Sequence, residues 1–386
     1  MMSVLSSLAW AFVICSLGYY VAALMAALRF ARNAAPPASP APQRAPDVAL
    51  LKPIHAGGKN LARNLGSFFS LDYPAKELIF GLASASDPAK ELIASLNSKG
   101  GEVPVKISFG EVTDAANRKV AKLMKMVNLA PQAEVFVLSD ADVRVEPDHL
   151  RRVVSELMAS EQIGVVTCLY RSVPESCLAA RMDALFVNTD FVPMAILSST
   201  FEKMRHAFGA TIAMKRAVVD ALDRFEALKD LLADDFFVGK IAADKGYEIK
   251  LSTSLVTISA EEATLKDFWR HQLRWARTYR TVRPLSLATI VIHGPLWALV
   301  LLASTGASEA SVILAGVLIA ARTLFAAVML DKVLTVPWKL SDLCLVLVKD
   351  LVMSAIWVAS LLGNEVTWGG RRFRLAPRGK MVEIKP

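Results

Sequence analysis

The chain has 386 residues, of which 54% are apolar and 21% are charged, and its formal net charge is +8. A chain of this length holds one large domain or two of medium size, and its apolar fraction is high for a soluble enzyme. The positive charge does not indicate a nucleic-acid-binding protein, because the basic residues cluster beside apolar segments and anionic lipid headgroups account for them better.

The first predicted element is an uncharged apolar segment of 25 residues, Val4 to Leu28, which is followed by Arg29 and Arg32. As a helix it is long enough to cross a hydrocarbon core of about 30 Å. A cleaved signal peptide would have a shorter apolar stretch preceded by basic residues, whereas here they follow it. We therefore expect a retained transmembrane anchor over 4–28, followed by a Pro-rich linker over 34–46.

Strands and helices alternate through the next segment, 47–283. Each of the first four predicted strands is followed by a helix or a polar loop, and two more strands come later: "VALLKP", "ELIFGLA", "VPVKISF", "EVFVLSD", "IGVVTCLY" and "FGATIAMK". This alternation indicates βαβ units and a mainly parallel sheet, so the expected fold class is α/β. Ligands bind such sheets at the carboxyl ends of the strands.

Two carboxylates, Asp140 and Asp142, follow the fourth strand. Positions i and i+2 of an extended chain point to the same side, so both side chains project toward one point. Mg²⁺ or Mn²⁺ prefers carboxylate oxygens and bridges to a diphosphate, which predicts a metal site here. The alternative interpretation is an Asx-turn or a loop-capping pair, which is common at strand ends.

Other candidate residues have ordinary structural interpretations when taken singly. Asp234 and Asp235 stand at the start of a predicted helix, where the helix dipole favours acidic residues. Asp87 precedes Pro88 and suits a turn or an N-cap. The segment "HQLRW", 271–275, suits a helix at the membrane interface.

The C-terminal third is again apolar. Leu285–Leu330 divides near 306–309 into two predicted spans, and Leu343–Leu362, which contains Lys349 and Asp350, suits a span, a re-entrant hairpin or an interfacial helix. We expect transmembrane or interfacial helices over 284–362 and a basic tail over 363–386.

The distribution of arginines predicts the orientation of the central segment. Basic residues follow the first apolar span and precede the second, and the N-terminal residues carry no charged side chain: Arg29, Arg32, Arg44, Arg270, Arg274, Arg277, Arg280 and Arg283. By the positive-inside rule the central domain faces the cytoplasm. The 4 cysteines have no C-x-x-C spacing, which fits a reducing compartment and argues against a zinc or disulfide framework.

Taken together and in order, these segments resemble the inverting glycosyltransferases of families 2 and 21, in particular the ceramide glucosyltransferases and the hopanoid-lipid glycosyltransferases of bacteria. The resemblance extends from about 50 to 374 and rests on eight stretches: "LKPIHAGGKNLARNL", "SDPA", "NRKVAKL", "LSDADVRV", "FGATIAMKR", "LADDFF", "HQLRWART" and "VTWGGRRFRL". It implies a nucleotide-diphospho-sugar transferase domain of GT-A fold with transmembrane helices at both ends.

The resemblance also implies a donor site for a UDP-sugar. Asp87 matches the family aspartate on the uracil or ribose side, and Asp140 and Asp142 match the metal-binding pair. Asn117 and Lys119 fall in the family's N-x-K stretch and are expected to help hold the donor.

On the acceptor side, the resemblance implies that Asp235 is the general base, with Asp234 in the place of its acidic neighbour at the donor. Arg274 and Trp275 match the R-W of the (Q/R)-x-x-R-W motif, where the arginine faces the leaving diphosphate and the tryptophan shapes the acceptor pocket. The chain departs from this motif because His271 occupies its first position, so the donor-binding role that we give to Gln272 is not a direct match.

The function implied is the transfer of one hexose from a UDP-sugar to the hydroxyl of a membrane lipid, with ceramide the first choice of acceptor. Three alternatives remain: transfer of N-acetylglucosamine to a hopanoid polyol, a processive polysaccharide synthase, and a non-catalytic membrane scaffold or transporter component with a degenerate transferase domain. The expected partners are the UDP-sugar, the lipid and the bilayer, without nucleic acid. The expected location is the bacterial inner membrane, with the catalytic domain in the cytoplasm.

Overall fold

The computed structural model describes residues 2–33, 45–55, 58–99, 103–175 and 177–384. Most of the predicted linker, 34–44, lies outside these residues. The α-helices of the described residues are, in chain order, α1 (Met2–Asn33), α2 (Leu61–Phe69), α3 (Ala89–Lys99), α4 (Arg118–Met126), α5 (His149–Met158), α6 (Leu178–Phe186), α7 (Val192–Phe201), α8 (Arg216–Ala221), α9 (Asp234–Asp244), α10 (Leu265–Val282), α11 (Gly294–Thr305), α12 (Glu309–Val328) and α13 (Leu340–Leu361).

The chain divides into two compact units. The helical unit consists of Met1–Asn33, Arg171–Phe201 and Ala260–Trp368, and the α/β unit of Ala34–Tyr170, Glu202–Ser259 and Gly369–Pro386. In this division 171–201 and 260–283, which we assigned from the sequence to the central domain, group with the apolar helices. The domain boundaries given above remain predictions.

The α/β unit is built on a mixed sheet of eight strands. These are β1 (Val48–Pro53), β2 (Lys76–Leu82), β3 (Val105–Phe109), β4 (Val135–Ser139), β5 (Val143–Arg144), β6 (Ile163–Pro174), β7 (Thr211–Lys215) and β8 (Glu248–Ala260). Their order across the sheet is β3-β2-β1-β4-β7-β6-β8-β5. The strands predicted from the sequence are all present, and the helices predicted after them begin within a few residues of the expected positions.

Strand direction divides the sheet into two halves. The first four strands, β3, β2, β1 and β4, are parallel, and Leu51 in β1 lies between Ile79 of β2 and Leu138 of β4. From β4 onward the pairs β4–β7, β7–β6 and β5–β8 are antiparallel. Because parallel strands end at one edge, the residues after β2 and β4 share that edge, and these include Asp87 and Asp140.

The helical unit contains the long apolar helices. Four helical segments of the described residues are long and apolar enough to cross a membrane: Val4–Asn33, Leu178–Phe201, Glu309–Val333 and Leu340–Leu361. A fifth candidate is the helix pair Pro284–Ile292 and Gly294–Thr305, which is bent by 67°. Apolar helices therefore occur at both ends of the chain, as the sequence predicts.

Leu178–Phe201 was not anticipated as an apolar span. It comprises α6, a π-helical turn over Val187–Phe191, and α7. Its mean hydropathy is 1.3, against 2.0 for the N-terminal helix, because charged residues interrupt it. Two of these, Asp183 and Asp190, are buried in the helical unit.

Two observations settle the arrangement of the C-terminal block. The break predicted near 306–309 is present, since α11 ends at Thr305, Gly306 has a φ of +64° and α12 begins at Glu309. The block predicted over Leu343–Leu362 lies in one continuous helix, α13 (Leu340–Leu361), rather than in a hairpin.

The charges inside α13 are paired within the helical unit. Arg322 of α12 binds the Asp350 carboxylate at 2.7 Å and the Asp190 carboxylate at 2.5 Å, and Lys349 binds Asp350 at 2.6 Å and also Asp190. None of these four side chains is more than 3% exposed. Two cations therefore neutralise two anions, which removes the cost of leaving either sign alone in an apolar environment.

The basic tail forms two strands in the α/β unit, β10 (Arg371–Leu375) and β11 (Met381–Glu383), which pair antiparallel; β9 (Glu365–Trp368) precedes them in the helical unit. The Met381 N–H donates to the Asp230 carbonyl at 2.7 Å, and the Leu232 N–H donates to the Gly379 carbonyl at 3.1 Å. The tail thus holds the chain segment that leads into α9.

Candidate active site

Asp140 is positioned by a buried lysine beneath it. Lys52, in β1, is fully buried, and its Nζ donates to the Asp140 carbonyl at 2.8 Å while its ammonium lies 3.5 Å from the centre of the Phe68 ring. Burial lowers the pKa of Lys52 to about 7, although the Asp140 and Asp142 carboxylates oppose that change. The lysine fixes the backbone at the point where β4 ends and leaves the Asp140 carboxylate free to face other groups.

The two carboxylates of the D-x-D stretch affect each other. Desolvation within the crowded site and repulsion from Asp140 raise the pKa of Asp142 to about 6. Because Asp142 as a residue is solvent-exposed, water moderates this change. The negative charge of two adjacent carboxylates attracts a cation.

Lys119 joins the strand-end aspartate to the start of α9. Its Nζ lies 2.7 Å from Asp140 Oδ1 and 3.2 Å from Asp234 Oδ2, and its side chain is only 12% exposed. Burial alone would lower the pKa of Lys119, but the two carboxylates more than offset burial and raise it, so the side chain is charged. Lys119 brings together two aspartates that are almost a hundred residues apart in sequence.

Asn117 fixes both Lys119 and the segment before α9. It is the N-cap of α4, and its Oδ1 accepts from the Lys119 N–H at 3.0 Å and the Val120 N–H at 3.2 Å. Its Nδ2 donates to the Leu231 carbonyl at 2.8 Å and lies 3.5 Å from Asp234 Oδ1. All four hydrogen bonds position other groups, so Asn117 supports the site from a fully buried position.

Asp235 combines partial burial with a raised proton affinity. Desolvation and then repulsion from Asp234 raise its pKa to about 6, against the opposing effects of Lys119 and of a 2.8 Å hydrogen bond from the Phe236 N–H. Gly209 faces this carboxylate, since a Cβ there would lie 3.1 Å from Asp235 Oδ2. The glycine therefore keeps open the space beside the side chain that we expect to act as base.

The C-terminal tail also reaches this site. Arg371 Nη2 donates to the Ala116 carbonyl at 3.2 Å, and the Ala116 N–H in turn donates to Asp230 Oδ1 at 3.2 Å. Together with the bonds from Met381 and Asn117, this ties the loop before α9 to the tail and to α4. No pattern in the sequence predicts that the tail contacts the loop before Asp234 and Asp235.

Asp87 lies at the same sheet edge, where its carboxylate accepts a hydrogen bond from the start of α3. Its Oδ1 accepts from the Ala89 N–H at 3.0 Å, which is the turn at the start of α3 expected of an aspartate before proline. β2 and β4 flank β1, so Asp87 and Asp140 follow two strands that are about 10 Å apart at about 4.8 Å per strand.

The R-W motif belongs to the helical unit, where α10 carries Arg274 and Trp275, both partly buried. The Trp275 ring packs edge-on against Phe186, Phe191 and His271, with ring centres 6.1, 5.8 and 5.3 Å apart. These contacts fix the orientation of the indole.

The neighbours of Arg274 and Trp275 make contacts that the sequence does not predict. Gln272 is 1% exposed, and its Nε2 donates to Asp183 Oδ1 at 2.7 Å. The guanidinium of Arg277 donates to the Leu362 carbonyl at 2.7 Å, so this arginine caps the C-terminus of α13. The donor-binding role given to Gln272 remains a prediction, with its amide nitrogen engaged by Asp183.

His271 carries a positive charge in this setting. Burial lowers the pKa of its imidazole, but hydrogen bonds to the Asp183 and Glu262 carboxylates more than offset burial and raise the pKa to about 9. Of these three residues, sequence reasoning singled out only His271, as the departure from the family motif. Asp183 could have been noticed as a charge within an apolar segment, which in membrane proteins often marks a functional site.

Lys52 was also missed. A lysine directly after the apolar run "VALL" is a signal, because a buried lysine requires partners. Those partners, the Asp140 carbonyl and the Ser139 hydroxyl at 3.4 Å, come from a strand that is adjacent only in the folded sheet.

The residues at the strand-end site fit a divalent cation. Asp140 and Asp142 supply oxygen ligands of the type that Mg²⁺ and Mn²⁺ prefer. The mutual repulsion seen in the raised pKa of Asp142 is what a cation would relieve. Lys119 supplies one positive charge to Asp140, at 2.7 Å from its Oδ1.

Comparison with known proteins gives the family of the chain. The model of glycosyl transferase family 21 matches residues 8–381. Ceramide glucosyltransferases 1 and 3 of Caenorhabditis elegans are 26% and 24% identical over 239 and 232 residues, which are 62% and 60% of this chain. The chain spans about half the length of these relatives, 51% and 50%.

A solved structure establishes the fold. A mannosyltransferase from Pyrobaculum calidifontis, in complex with GDP-Man and Mn²⁺, matches with a TM-score of 0.54 at 18% identity, over 92% of this chain and 99% of that one. The fold is therefore GT-A-like, with a mixed sheet and apolar helices at both ends. On the family match over most of its length, the chain belongs to glycosyl transferase family 21.

Proposed function

We propose that this glycosyltransferase moves a single hexose from a UDP-sugar to the hydroxyl of a membrane lipid, with ceramide as the favoured acceptor. The observation that carries the proposal is the Lys119 bridge, in which one ammonium lies 2.7 Å from Asp140 and 3.2 Å from Asp234. The bridge joins the carboxylates of the donor site to the helix that carries Asp235. It gives the protein a donor-binding group and a base within one cluster.

The proposed step is an inverting substitution. The Asp235 carboxylate accepts the proton of the acceptor hydroxyl while that oxygen attacks the anomeric carbon of the sugar. The bond from the anomeric carbon to the diphosphate oxygen breaks, and its electron pair leaves with UDP. A carboxylate with a pKa near 6 is ionised at neutral pH and still basic enough to take the proton.

The remaining residues support binding and departure. Asp87 is assigned to the uracil or ribose side, and Asp140 and Asp142 would hold a divalent cation, Mg²⁺ or Mn²⁺, which neutralises diphosphate charge when bound. Lys119 is assigned to hold the donor with Asn117, and Arg274 to meet the leaving diphosphate. Trp275 is assigned to the acceptor.

The apolar helices support a lipid acceptor. Four described helices are long and apolar enough to cross a bilayer, and the curated relatives at 26% and 24% identity are named ceramide glucosyltransferases. We propose that the enzyme sits in the bacterial inner membrane with its α/β unit in the cytoplasm. Transfer of N-acetylglucosamine to a hopanoid polyol is the second candidate, because the same residues serve either lipid hydroxyl.

The test is a transfer assay with the purified full-length protein in detergent. Ceramide or a hopanoid polyol is incubated with one donor at a time: UDP-glucose, UDP-galactose, UDP-N-acetylglucosamine or UDP-glucuronic acid. The masses of the lipid products are then measured by mass spectrometry. We expect ceramide to gain the mass of one hexose from one donor. Products with many added sugars would indicate a polysaccharide synthase, and failure to bind any UDP-sugar would indicate a non-catalytic protein.

A further inference from the structure

Three side chains in the helical unit form a compact group of metal-ligand type. His271 Nδ1 lies 2.7 Å from Glu262 Oε1 and 3.3 Å from Asp183 Oδ1. One ligand atom from each of the three residues lies within 4.8 Å of the other two. We call this group the Asp–Glu–His cluster; it shares no residue with the strand-end site at Asp140 and Asp142.

Local structure fixes all three members. Asp183 lies in α6 and His271 in α10, both regular helices, while Glu262 lies in the short connection between β8 and α10. That connection is tied down, because the Cys177 thiol donates to the Glu262 carbonyl at 2.9 Å. The three donors are thus held before any ligand binds.

The cluster has more acceptors than donors. Two carboxylates face one imidazole nitrogen, which carries at most one hydrogen. Glu262 Oε2 is buried with no hydrogen-bond partner among the residues that the structure describes. The same holds for the Oε1 of Gln272, a side chain that is 1% exposed and whose amide borders the cluster through its bond to Asp183.

Buried oxygens without partners carry a desolvation penalty that a bound cation would remove. Atoms bound to one cation at about 2.0–2.2 Å lie roughly 3–4 Å apart, so the observed spacings need little adjustment. The bond from Gln272 Nε2 to Asp183 Oδ1 is the kind of supporting hydrogen bond that orients a ligating carboxylate.

We propose that the Asp–Glu–His cluster binds a divalent cation of the zinc class. Binding of the cation displaces the proton from His271 Nδ1, and that imidazole nitrogen then forms with two carboxylate oxygens a mixed ligand set of the kind that Zn²⁺ takes. Mg²⁺ prefers oxygen ligands and water, so it competes poorly for the imidazole. The cation joins α6 to α10 and holds the His271 ring, whose centre is 5.3 Å from that of Trp275.

The test measures bound metal in the purified full-length protein. An Asp140→Asn, Asp142→Asn double variant first removes the ligands of the strand-end site. The protein is stripped with a chelator, dialysed against Zn²⁺ with excess Mg²⁺, and analysed by mass spectrometry for metal. We expect about one Zn²⁺ per chain in this background and a rise in melting temperature on adding Zn²⁺, since a ligand that binds the folded state stabilises it.

Two further variants assign the site. His271→Gln and Glu262→Gln, each added to the double variant, should lower bound Zn²⁺ severalfold and abolish the rise in melting temperature. Glu261→Gln is the matched control, because it removes the adjacent carboxylate and leaves the cluster intact. If His271→Gln fails to fold, Glu262→Gln gives the same information with a smaller change in shape.

Two results would overturn the proposal. One is Zn²⁺ binding that disappears in the Asp140→Asn, Asp142→Asn variant alone, since that metal belongs to the strand-end site. The other is Zn²⁺ binding that persists unchanged in folded His271→Gln and Glu262→Gln. No donor sugar or lipid is used, so the outcome is independent of whether the proposed transfer activity is correct.

Discussion

Asp235 owes its proposed role to neighbours that the sequence keeps far apart. Asp234 repels it, Lys119 lies 3.2 Å from the Asp234 carboxylate, and Gly209 leaves room beside it. An aspartate at the start of a helix would ordinarily have a lowered pKa, because the helix dipole favours the charged form. Desolvation and the adjacent carboxylate reverse that tendency here.

The raised pKa predicts how activity depends on pH. A base must be unprotonated, so kcat/KM should fall about tenfold per pH unit below a pKa of about 6 and level off above it. Asp142 titrates in the same range without metal, so the profile is recorded with saturating Mg²⁺, which keeps Asp142 ionised. A profile that stays flat down to about pH 4, the ordinary range for aspartate, would rule out the assigned pKa.

Gly209→Ala should lower kcat with little effect on donor binding. The added Cβ would lie 3.1 Å from Asp235 Oδ2, tighter than ordinary contact, so the carboxylate must move. Displacement of a reacting group by a fraction of an ångström to 1 Å reduces the rate by up to about 10²-fold. Gly66→Ala is the control, because its Cβ would meet only Leu96 at 3.6 Å; equal losses in both variants would refute the argument.

At the scale of elements, β10 and β11 position the loop that leads into α9. The Met381 N–H donates to the Asp230 carbonyl at 2.7 Å, and the Asn117 side chain donates to the Leu231 carbonyl of the same loop. The tail, which the sequence analysis identified only as basic, is thereby bonded to the loop that precedes Asp234 and Asp235. Strand pairing between segments 150 residues apart leaves no pattern in either segment alone.

Met381→Pro should lower kcat by about tenfold while the Kd for UDP stays within about threefold. Proline has no N–H to donate, and losing one hydrogen bond to the loop costs about 1 kcal/mol in its position. Met381→Leu keeps both the N–H and the buried apolar side chain, so it should resemble the wild type. Kinetics and UDP titration of the two variants give the comparison, and identical kcat values would argue against this support.

The sequence predicted some elements better than others for physical reasons. β1 to β4 and their helices follow from hydrophobic periodicity, which is local. Leu178–Phe201 was missed because Asp183 and Asp190 break its apolar run, and their compensation by His271, Arg322 and Lys349 comes from distant helices. A charged side chain is buried only where an oppositely charged partner is close, and such partners are known only once the fold is known.

At the scale of the whole molecule, the order of short motifs in the sequence predicted the family and the fold. It did not predict the interactions inside the site. The order of Asp87, Asp140, Asp235 and Arg274 in the sequence indicated a glycosyltransferase, and the match over 8–381 confirms the family. The sequence could not predict the ion pairs of Lys119 with Asp140 and Asp234, because α4, the end of β4 and α9 are brought together only in the folded protein. The residue roles remain proposals that experiments decide.

Removal of metal should stop transfer. With EDTA the two carboxylates of Asp140 and Asp142 would face the donor diphosphate without a neutralising charge, so activity should fall below about 1% of its starting value. Mg²⁺ or Mn²⁺ added alone should restore it in the wild type and not in Asp140→Asn. Full activity in EDTA would remove the metal from the proposed mechanism.

The most direct test of the proposed function compares Asp235→Asn with the wild type in two measurements on the same purified protein: UDP-sugar binding and hexose transfer to lipid. We predict that the Kd for the donor changes by less than about threefold, while transfer falls by about 10²–10⁴-fold, because the asparagine keeps the shape and loses the proton acceptor. Transfer by Asp235→Asn at a rate near that of the wild type would contradict the assignment of Asp235 as the base.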